Sequence, residues 1–534
     1  MIKELSFIFT FFIFSITSSA LAQKAKPNII IILADDMGYS DIGCFGSEIQ
    51  TPNLDAMAKG GLRMTQFYNA SRCCPTRASL LTGLYQHQAG VGDMVNTRTQ
   101  PAYQGYLNHH CVTIAEALRD GGYNTLMAGK WHVGTTPDKW PRKRGFNRYF
   151  GLIDGASSYF STKPYRPNQK LTIALDDNEF TTGPGFYATN AYTDYSIKFI
   201  DDNKTTNKPF FLYLAFTAPH WPLHALPADI AKYKGKYNKG WDVLREERLK
   251  RMQQSGVLDK ETKLSPRNEK VIAWSETTAE EKLKWSDKMA VYAAMVDRLD
   301  QNVGRVLKKL KETGDEKNTI ILFLSDNGAS NESISGTGFT PEMIAANKNP
   351  PGDAHSFSAY EWQGANLSNT PFRMCKKYEY EGGTAAPFIA YYPGVIKPNI
   401  IDKQPAHIID IMSTCLDLAG INYPSTYKGN TITASEGISL LPLFKGDNWN
   451  QHKALYFEHE GNRAVRQGDW KLVSEYPANT WQLYNIKTDR TELNDLSASQ
   501  PQKVAELKTL YEEWTKRAGV IPFEELDKKA NKAE

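Results

Sequence analysis

Two acidic doublets and a cysteine doublet carry the residue types that chemistry would need. Asp35-Asp36 and Asp326-Asn327 offer four hard oxygen donors. Gathered together, three carboxylates would repel one another without a cation, and oxygen donors free of thiolate and imidazole suit Ca²⁺ or Mg²⁺ rather than Zn²⁺. Taken singly, each doublet also reads as a turn: an Asp capping the next bend, and Asp326-Asn327-Gly328 as a type I′ turn. Cys73-Cys74-Pro75-Thr76-Arg77 joins a thiol pair to a proline that can open a helix. Cys73 then lies just before a helix N-terminus, which favours a thiolate or a bound anion, and Arg77 adds charge-assisted hydrogen bonds. On spacing alone the pair equally fits buried cysteines or a vicinal redox pair. Lys130, His132 and His220 complete the polar set. Each has a plainer reading: a solvated lysine, a core histidine beside Trp131, and a turn residue after Pro219.

Most of these groups sit just past an apolar run. Residues 29–33 lead into Ala34-Asp35-Asp36, residues 124–128 into Gly129-Lys130-Trp131-His132, residues 210–216 into Thr217-Ala218-Pro219-His220, and residues 319–324 into Ser325-Asp326-Asn327-Gly328. Continuous apolar runs of this length are expected as strands buried on both faces of a parallel sheet. Sites in open α/β sheets form outside the carboxyl ends of the strands, so these strands would deliver their polar residues to one edge. Helical signals alternate with them. Thr51 is an N-cap before Pro52, residues 113–120 stop at Gly121-Gly122, and Tyr292, Val296, Leu299, Val303, Val306 and Leu310 share one helical face. A further strand is expected at 387–392. The alternation predicts an α/β fold, a mostly parallel sheet sandwiched by helices, over residues 23–445. Short strand-like runs and a helix at 502–517 predict a small C-terminal antiparallel α+β subdomain over 446–534. Residues 225–288 are charged and read as a surface excursion. Residues 328–370, rich in Gly, Ser, Asn and Pro, form a long irregular stretch of the kind that is more often functional than idle.

A hydrophobic content of 41% with 23% charged residues excludes global disorder. A net charge of +4 over the whole chain gives no reason to expect nucleic acid or an anionic membrane as partner. Lys3, the apolar residues 5–16 and Ala20-Leu21-Ala22 read as a signal peptide over 1–22. The run is short for a bilayer anchor. The mature chain is therefore expected outside the cytoplasm, periplasmic or extracellular, with no membrane association after cleavage. Cysteines at 44, 73, 74, 111, 375 and 415 are too scattered for a small disulfide scaffold, and their pairing stays open.

Cys73-x-Pro75-x-Arg77, followed by Ala78-Ser79-Leu80-Leu81-Thr82-Gly83, resembles the signature of the type I, formylglycine-dependent sulfatases, arylsulfatase-like members of the alkaline-phosphatase-like superfamily. The register selects Cys73, and Cys74 falls on a variable position where the family usually carries Ser. The resemblance extends through Asp35-Asp36-Met37-Gly38, Gly129-Lys130-Trp131-His132-Val133-Gly134, Pro219-His220, Ser325-Asp326-Asn327-Gly328, and Lys376 with Glu381-Gly382-Gly383. It implies conversion of Cys73 to formylglycine by a maturation enzyme, and Ca²⁺ bound by Asp35, Asp36, Asp326, Asn327 and the modified residue 73. It implies hydrolysis of sulfate esters of carbohydrates or of aryl alcohols. Arg77 and Lys130 would stabilise the hydrated aldehyde, His132 would contact it, and His220 and Lys376 would face the sulfate and the leaving oxygen. Lys376 is chosen over Lys377 because it lies five residues before Glu381. The alternative is a phosphodiesterase or phosphonate monoester hydrolase of the same superfamily, some of which also use formylglycine. A non-catalytic binder of sulfated glycans is a third reading. His224 is expected at the surface, and His459 either lines the substrate entrance or is structural. Trp221, Tyr360 and Trp362 either stack on sugar rings or pack a core or lid.

Overall fold

Each apolar run becomes a strand, and pairing encloses it on both faces. A computed structural model describes residues 26–335 and 338–530, with side chains through 526. The expected signal peptide at 1–22 lies outside these residues. The strands Leu62–Tyr68, Ala385–Tyr391, Thr319–Ser325, Asn28–Ala34, Phe210–Ala215, Asn124–Gly129 and Arg148–Leu152 are neighbours in that order within an 11-stranded sheet. Pairings from Thr319–Ser325 through Arg148–Leu152 are all parallel. Ala385–Tyr391 runs antiparallel to both its neighbours, which makes the sheet mixed. The reason lies in its connection. The chain leaves Thr319–Ser325 at the carboxyl edge, stays there through the long irregular segment, and re-enters the sheet from that same edge.

Successive side chains of a strand point to opposite faces, and two cores result. Ile30 and Ile32 pack with Leu299 and Val303 on one face. Ile29, Ile31 and Leu33 pack with Leu81, Ile114 and Ile411 on the other. Leu299 and Val303 belong to the helix Ala279–Thr313, which is opened by a Thr278/Glu281 capping box and closed by Gly314 at φ 77°. Thr51 precedes the helix Pro52–Gly60 as expected but does not cap it. Its hydroxyl instead accepts from Gly43 N–H and donates to Asp55.

Residues 225–288 are not simply a surface excursion. The helix Gly240–Ser255 buries Trp241, Leu244, Arg248 and Met252. Arg248 is fully enclosed, 2.8 Å from Asp41 and 2.7 Å from Glu48. Part of the charge in this segment is therefore paired inside.

The C-terminal strands Leu455–His459, Asn462–Gln467, Trp470–Ser474 and Trp481–Asn485 form a four-stranded antiparallel sheet. The helix Pro501–Ala518 covers it, with Trp514 stacked on Tyr456 at 5.3 Å. Buried ions join this sheet to the rest. Lys471, on its third strand, lies 3.0 Å from Glu381 and 2.9 Å from Glu492, and Arg490 lies 2.8 Å from Glu381. None of the six cysteines forms a disulfide. Among the described residues no helix is long and apolar enough to cross a membrane.

Candidate active site

Strand register brings the acidic doublets together. Ala34 is level with Ser325, and both Leu33 and Gly129 are level with Ala215. Backbone bonds continue past the strand ends: Asp326 N–H donates to Ala34 O at 3.1 Å, Asp35 N–H to Ala218 O at 3.0 Å, and Lys130 N–H to Ala215 O at 2.8 Å. Asp35, Asp36, Lys130, His132, His220, Asp326 and Asn327 thus meet over the carboxyl edge.

The cysteine segment approaches from the side. The helix spans Cys73–Thr82, so it begins at Cys73 and not at Pro75. Arg72 is the extended N-cap, and Pro75 takes the third helical position, where its missing N–H is still an orphan site. Every residue of this helix is buried. Arg77, one turn in, reaches Asp326 at 2.7 Å and Asp35 at 3.5 Å. Lys130 Nζ donates to Asp35 at 2.6 Å. Lys376 Nζ lies 2.9 Å from Asp36 Oδ1, and His220 Nε2 lies 3.4 Å from Asp36 Oδ2. Cys73, Cys74 and His132 present atoms within 4.8 Å of one another, as do Asp35, Asp36 and His220. His132 stands at φ 56°, its ring so close to Gly155 that a Cβ there would come within 2.5 Å of it.

Burial and the facing charges shift the ionisable groups of the site. Burial pushes the His132 imidazole down to about 4, leaving it a neutral base. Burial also lowers His220, while Asp36 and Glu332 oppose that shift. A hydrogen bond from Cys74, aided by the cations Lys130 and Lys376, holds the Cys73 thiol well below its ordinary value. Burial opposes charge on Lys130 and Lys376, but the facing carboxylates Asp35 and Asp36 raise both above the usual lysine value.

The acidic group fits a hard divalent cation. Asp35 Oδ1 and Asn327 Oδ1 are buried and have no hydrogen-bond partner. Burial, together with the neighbouring Asp35, pushes Asp326 up to about 8, and burial raises Asp35 as well. Unpaired buried oxygens among crowded carboxylates call for positive charge. A donor set of carboxylate and amide oxygens suits Ca²⁺ or Mg²⁺.

Other expectations change. His224 is fully buried, not at the surface. Its Nε2 faces Ser356 O at 2.7 Å and its Nδ1 accepts from Tyr159 N–H at 3.3 Å. His459 is fully buried as well, 3.4 Å from Glu460. Tyr360 stacks on Tyr292 in the core at 4.3 Å. Trp221 packs with Tyr165 and Phe357, and Trp362 lies partly buried beside Tyr378 with Lys270 over its ring. Lys377 turns away to Glu460, whereas Lys376 is buried in the site. Two side chains here escaped the sequence reading. Glu332 contacts Lys376 and Arg72, each at 3.2 Å. The only hint of Glu332 was the polar, irregular character of residues 328–370, and that of Arg72 was its place directly before Cys73.

Comparison with known proteins agrees with this architecture. The family model described as Sulfatase matches residues 27–421, and that described as N-sulphoglucosamine sulphohydrolase, C-terminal, matches residues 373–517. The chain belongs to the sulfatase family and is a sulfuric ester hydrolase. It is 36% identical to an uncharacterised sulfatase of Schizosaccharomyces pombe, covering 94% of this chain and 95% of that one. It is 37% identical to the arylsulfatase of Klebsiella aerogenes, covering 79% and 93%. The N-acetylgalactosamine-6-sulfatase of Mus musculus is 27% identical, covering 88% and 76%. Among solved structures, Ps i-CgsB in complex with k-i-k-neocarrahexaose superposes with a TM-score of 0.67 at 27% identity, covering 92% and 93%.

Proposed function

We propose that this enzyme removes sulfate from sulfated carbohydrates with a formylglycine made from Cys73 and with Ca²⁺ held by Asp35, Asp36, Asp326 and Asn327. One observation carries the reading: buried, unpaired Asp and Asn oxygens meet beside a Cys73 that opens a helix and is followed by Arg77. The Cys73 sulfur stands in for the hydroxyl oxygens of a hydrated formylglycine. Ca²⁺ bound there would neutralise the carboxylates and orient the sulfate oxygens. Asp326 would accept the proton of the attacking hydroxyl as its oxygen bonds sulfur and the ester S–O bond breaks. Arg77, Lys130 and Lys376 answer the charge on the sulfuryl oxygens. His220 donates a proton to the departing oxygen, with Lys376 beside it. With formylglycine at residue 73, His132, neutral near pH 7, would take the proton of the second hydroxyl as its C=O re-forms and the C–O bond to sulfate breaks, releasing sulfate. A serine at this position has no second hydroxyl and no such exit.

The carbohydrate assignment draws support from relatives whose names or bound ligands are sugars. The leader-like residues 1–22 support export, and a formylglycine-generating partner is required. Nothing in the site favours the phosphodiesterase reading. The test is mass spectrometry of the peptide holding residue 73, beside sulfate release from a panel of sulfated sugars, aryl sulfates and matched phosphate esters. The expected result is an aldehyde-bearing peptide and selective sulfate release. Fast phosphate cleavage, or full activity with an unmodified cysteine, would overturn the proposal.

A further inference from the structure

Glu332 has no task in the steps above, yet it contacts Lys376 and lies near His220, the two groups assigned to the departing oxygen. Its Oε2 accepts from Trp221 Nε1 at 2.6 Å, from Lys376 Nζ at 3.2 Å and from Ser330 Oγ at 3.2 Å. The same oxygen lies 4.0 Å from His220 Nε2. Its Oε1 pairs with Arg72 at 3.2 Å. The Glu332 side chain is 27% exposed, against 2% for Lys376 and 6% for His220. Glu332 is thus the most exposed of the three side chains.

Glu332 holds Lys376 directly and reaches His220 through Trp221. Lys376 Nζ is held between Asp36 at 2.9 Å and Glu332. The His220 ring is fixed at Nδ1 by Trp221 O at 2.6 Å, and its Nε2 faces Asp36 at 3.4 Å and Glu332. Trp221 thus supplies the carbonyl that orients His220 and the indole N–H that orients Glu332. A proton donor that need not search for its rotamer gains effective concentration at the reacting oxygen.

We propose that Glu332 is a positioning residue that holds Lys376 and His220 at the departing oxygen, and so fits this site to sulfate esters of sugar alcohols more than to aryl sulfates. The inference rests on the sulfatase reading above. When the S–O bond breaks, its electron pair goes to the departing oxygen. A phenolate carries that pair unaided. A sugar alkoxide does not, and needs the His220 proton in the same step, after which His220 is reprotonated from water. Donor placement therefore matters in proportion to the basicity of the leaving oxygen.

The experiment compares wild-type enzyme with Glu332→Gln and Trp221→Phe on aryl sulfates of rising phenol pKa and on a primary sugar sulfate. Glu332→Gln is expected to lower kcat by no more than about threefold for para-nitrophenyl sulfate and by more than about thirtyfold for the sugar sulfate, with KM changed less than kcat. Trp221→Phe, which keeps the carbonyl and removes the indole donor, is expected to show the same trend more weakly. Thermal unfolding of each variant establishes that it folds. A loss that is equal across leaving groups overturns the inference and leaves the sulfatase reading intact. A wild-type enzyme that releases no sulfate from any ester defeats the sulfatase reading itself. Should Glu332→Gln fail to fold, Glu332→Asp answers instead, and a flat leaving-group series in Glu332→Asp and Trp221→Phe counts against the role.

Discussion

At position 377 the backbone takes φ 86°, and this turn sends Lys377 outward to Glu460 while Lys376 points inward at Asp36. Lys376→Ala is expected to lower kcat/KM by about 10²-fold or more, as removal of a donor to developing charge does, and Lys377→Ala by less than about threefold. Steady-state sulfate release from one ester decides between them. Chelation makes a second residue-scale prediction. If the unpaired oxygens of Asp35 and Asn327 hold a cation, EDTA abolishes activity and lowers Tm, and added Ca²⁺ restores both. A Tm unchanged by EDTA and Ca²⁺ would count against the site. The candidate residues were legible because each follows an apolar run or falls within a spaced motif. Glu332 was not, since one acidic residue in a polar segment has no pattern around it. The burial of His224 was hidden too, because its partners Tyr159 and Ser356 lie 65 and 132 positions away.

Among the elements, the strands were legible as apolar runs and the long helix as a stripe at helical spacing. Strand direction was not, because an apolar run reads the same in either sense, and Ala385–Tyr391 is reversed. The turn after Thr319–Ser325 shows how closely these elements approach. A Cβ on Gly328 would lie 1.9 Å from the carbonyl oxygen of Gly382. Gly328→Ala must therefore push apart the Asp326-Asn327 turn and the Glu381–Thr384 helix. The expected cost is about 2–3 kcal/mol in urea unfolding, with reduced sulfate release from the displaced turn. Unchanged stability and activity would show that this contact yields.

Over the whole molecule, buried histidines set a pH limit. His224 is pushed down to about 4 by burial, against 6.5 for an exposed imidazole, and burial holds His407 well below that as well. Below pH 6.5 the unfolded chain binds the extra proton, so stability that is complete above that pH falls as pH drops toward 4. The His224 share is as much as about 3 kcal/mol. Urea unfolding at pH 7 and pH 5 is expected to show this decline, and His224→Gln to make it shallower. An equal decline in both proteins would assign it elsewhere. Lys471 sets a limit of another kind, since replacing it leaves Glu381 and Glu492 buried without their shared cation. Lys471→Ala is expected to cost about 3–5 kcal/mol, read as a lower denaturation midpoint.

That same ion cluster reaches beyond stability. Glu381 opens the short helix just after Lys376, and its N–H donates to Glu492 at 2.8 Å. Arg373, before Lys376, bonds Glu492 O at 3.2 Å, and Tyr380 bonds Gln482 at 2.6 Å. The C-terminal sheet therefore acts as a clamp on the segment that aims the lysine. Recombination between relatives would have to respect this bond. A chimaera joined near residue 450 keeps every polar group of the site but receives a foreign clamp, whereas one joined ahead of residue 373 inherits lysine and clamp as a matched pair.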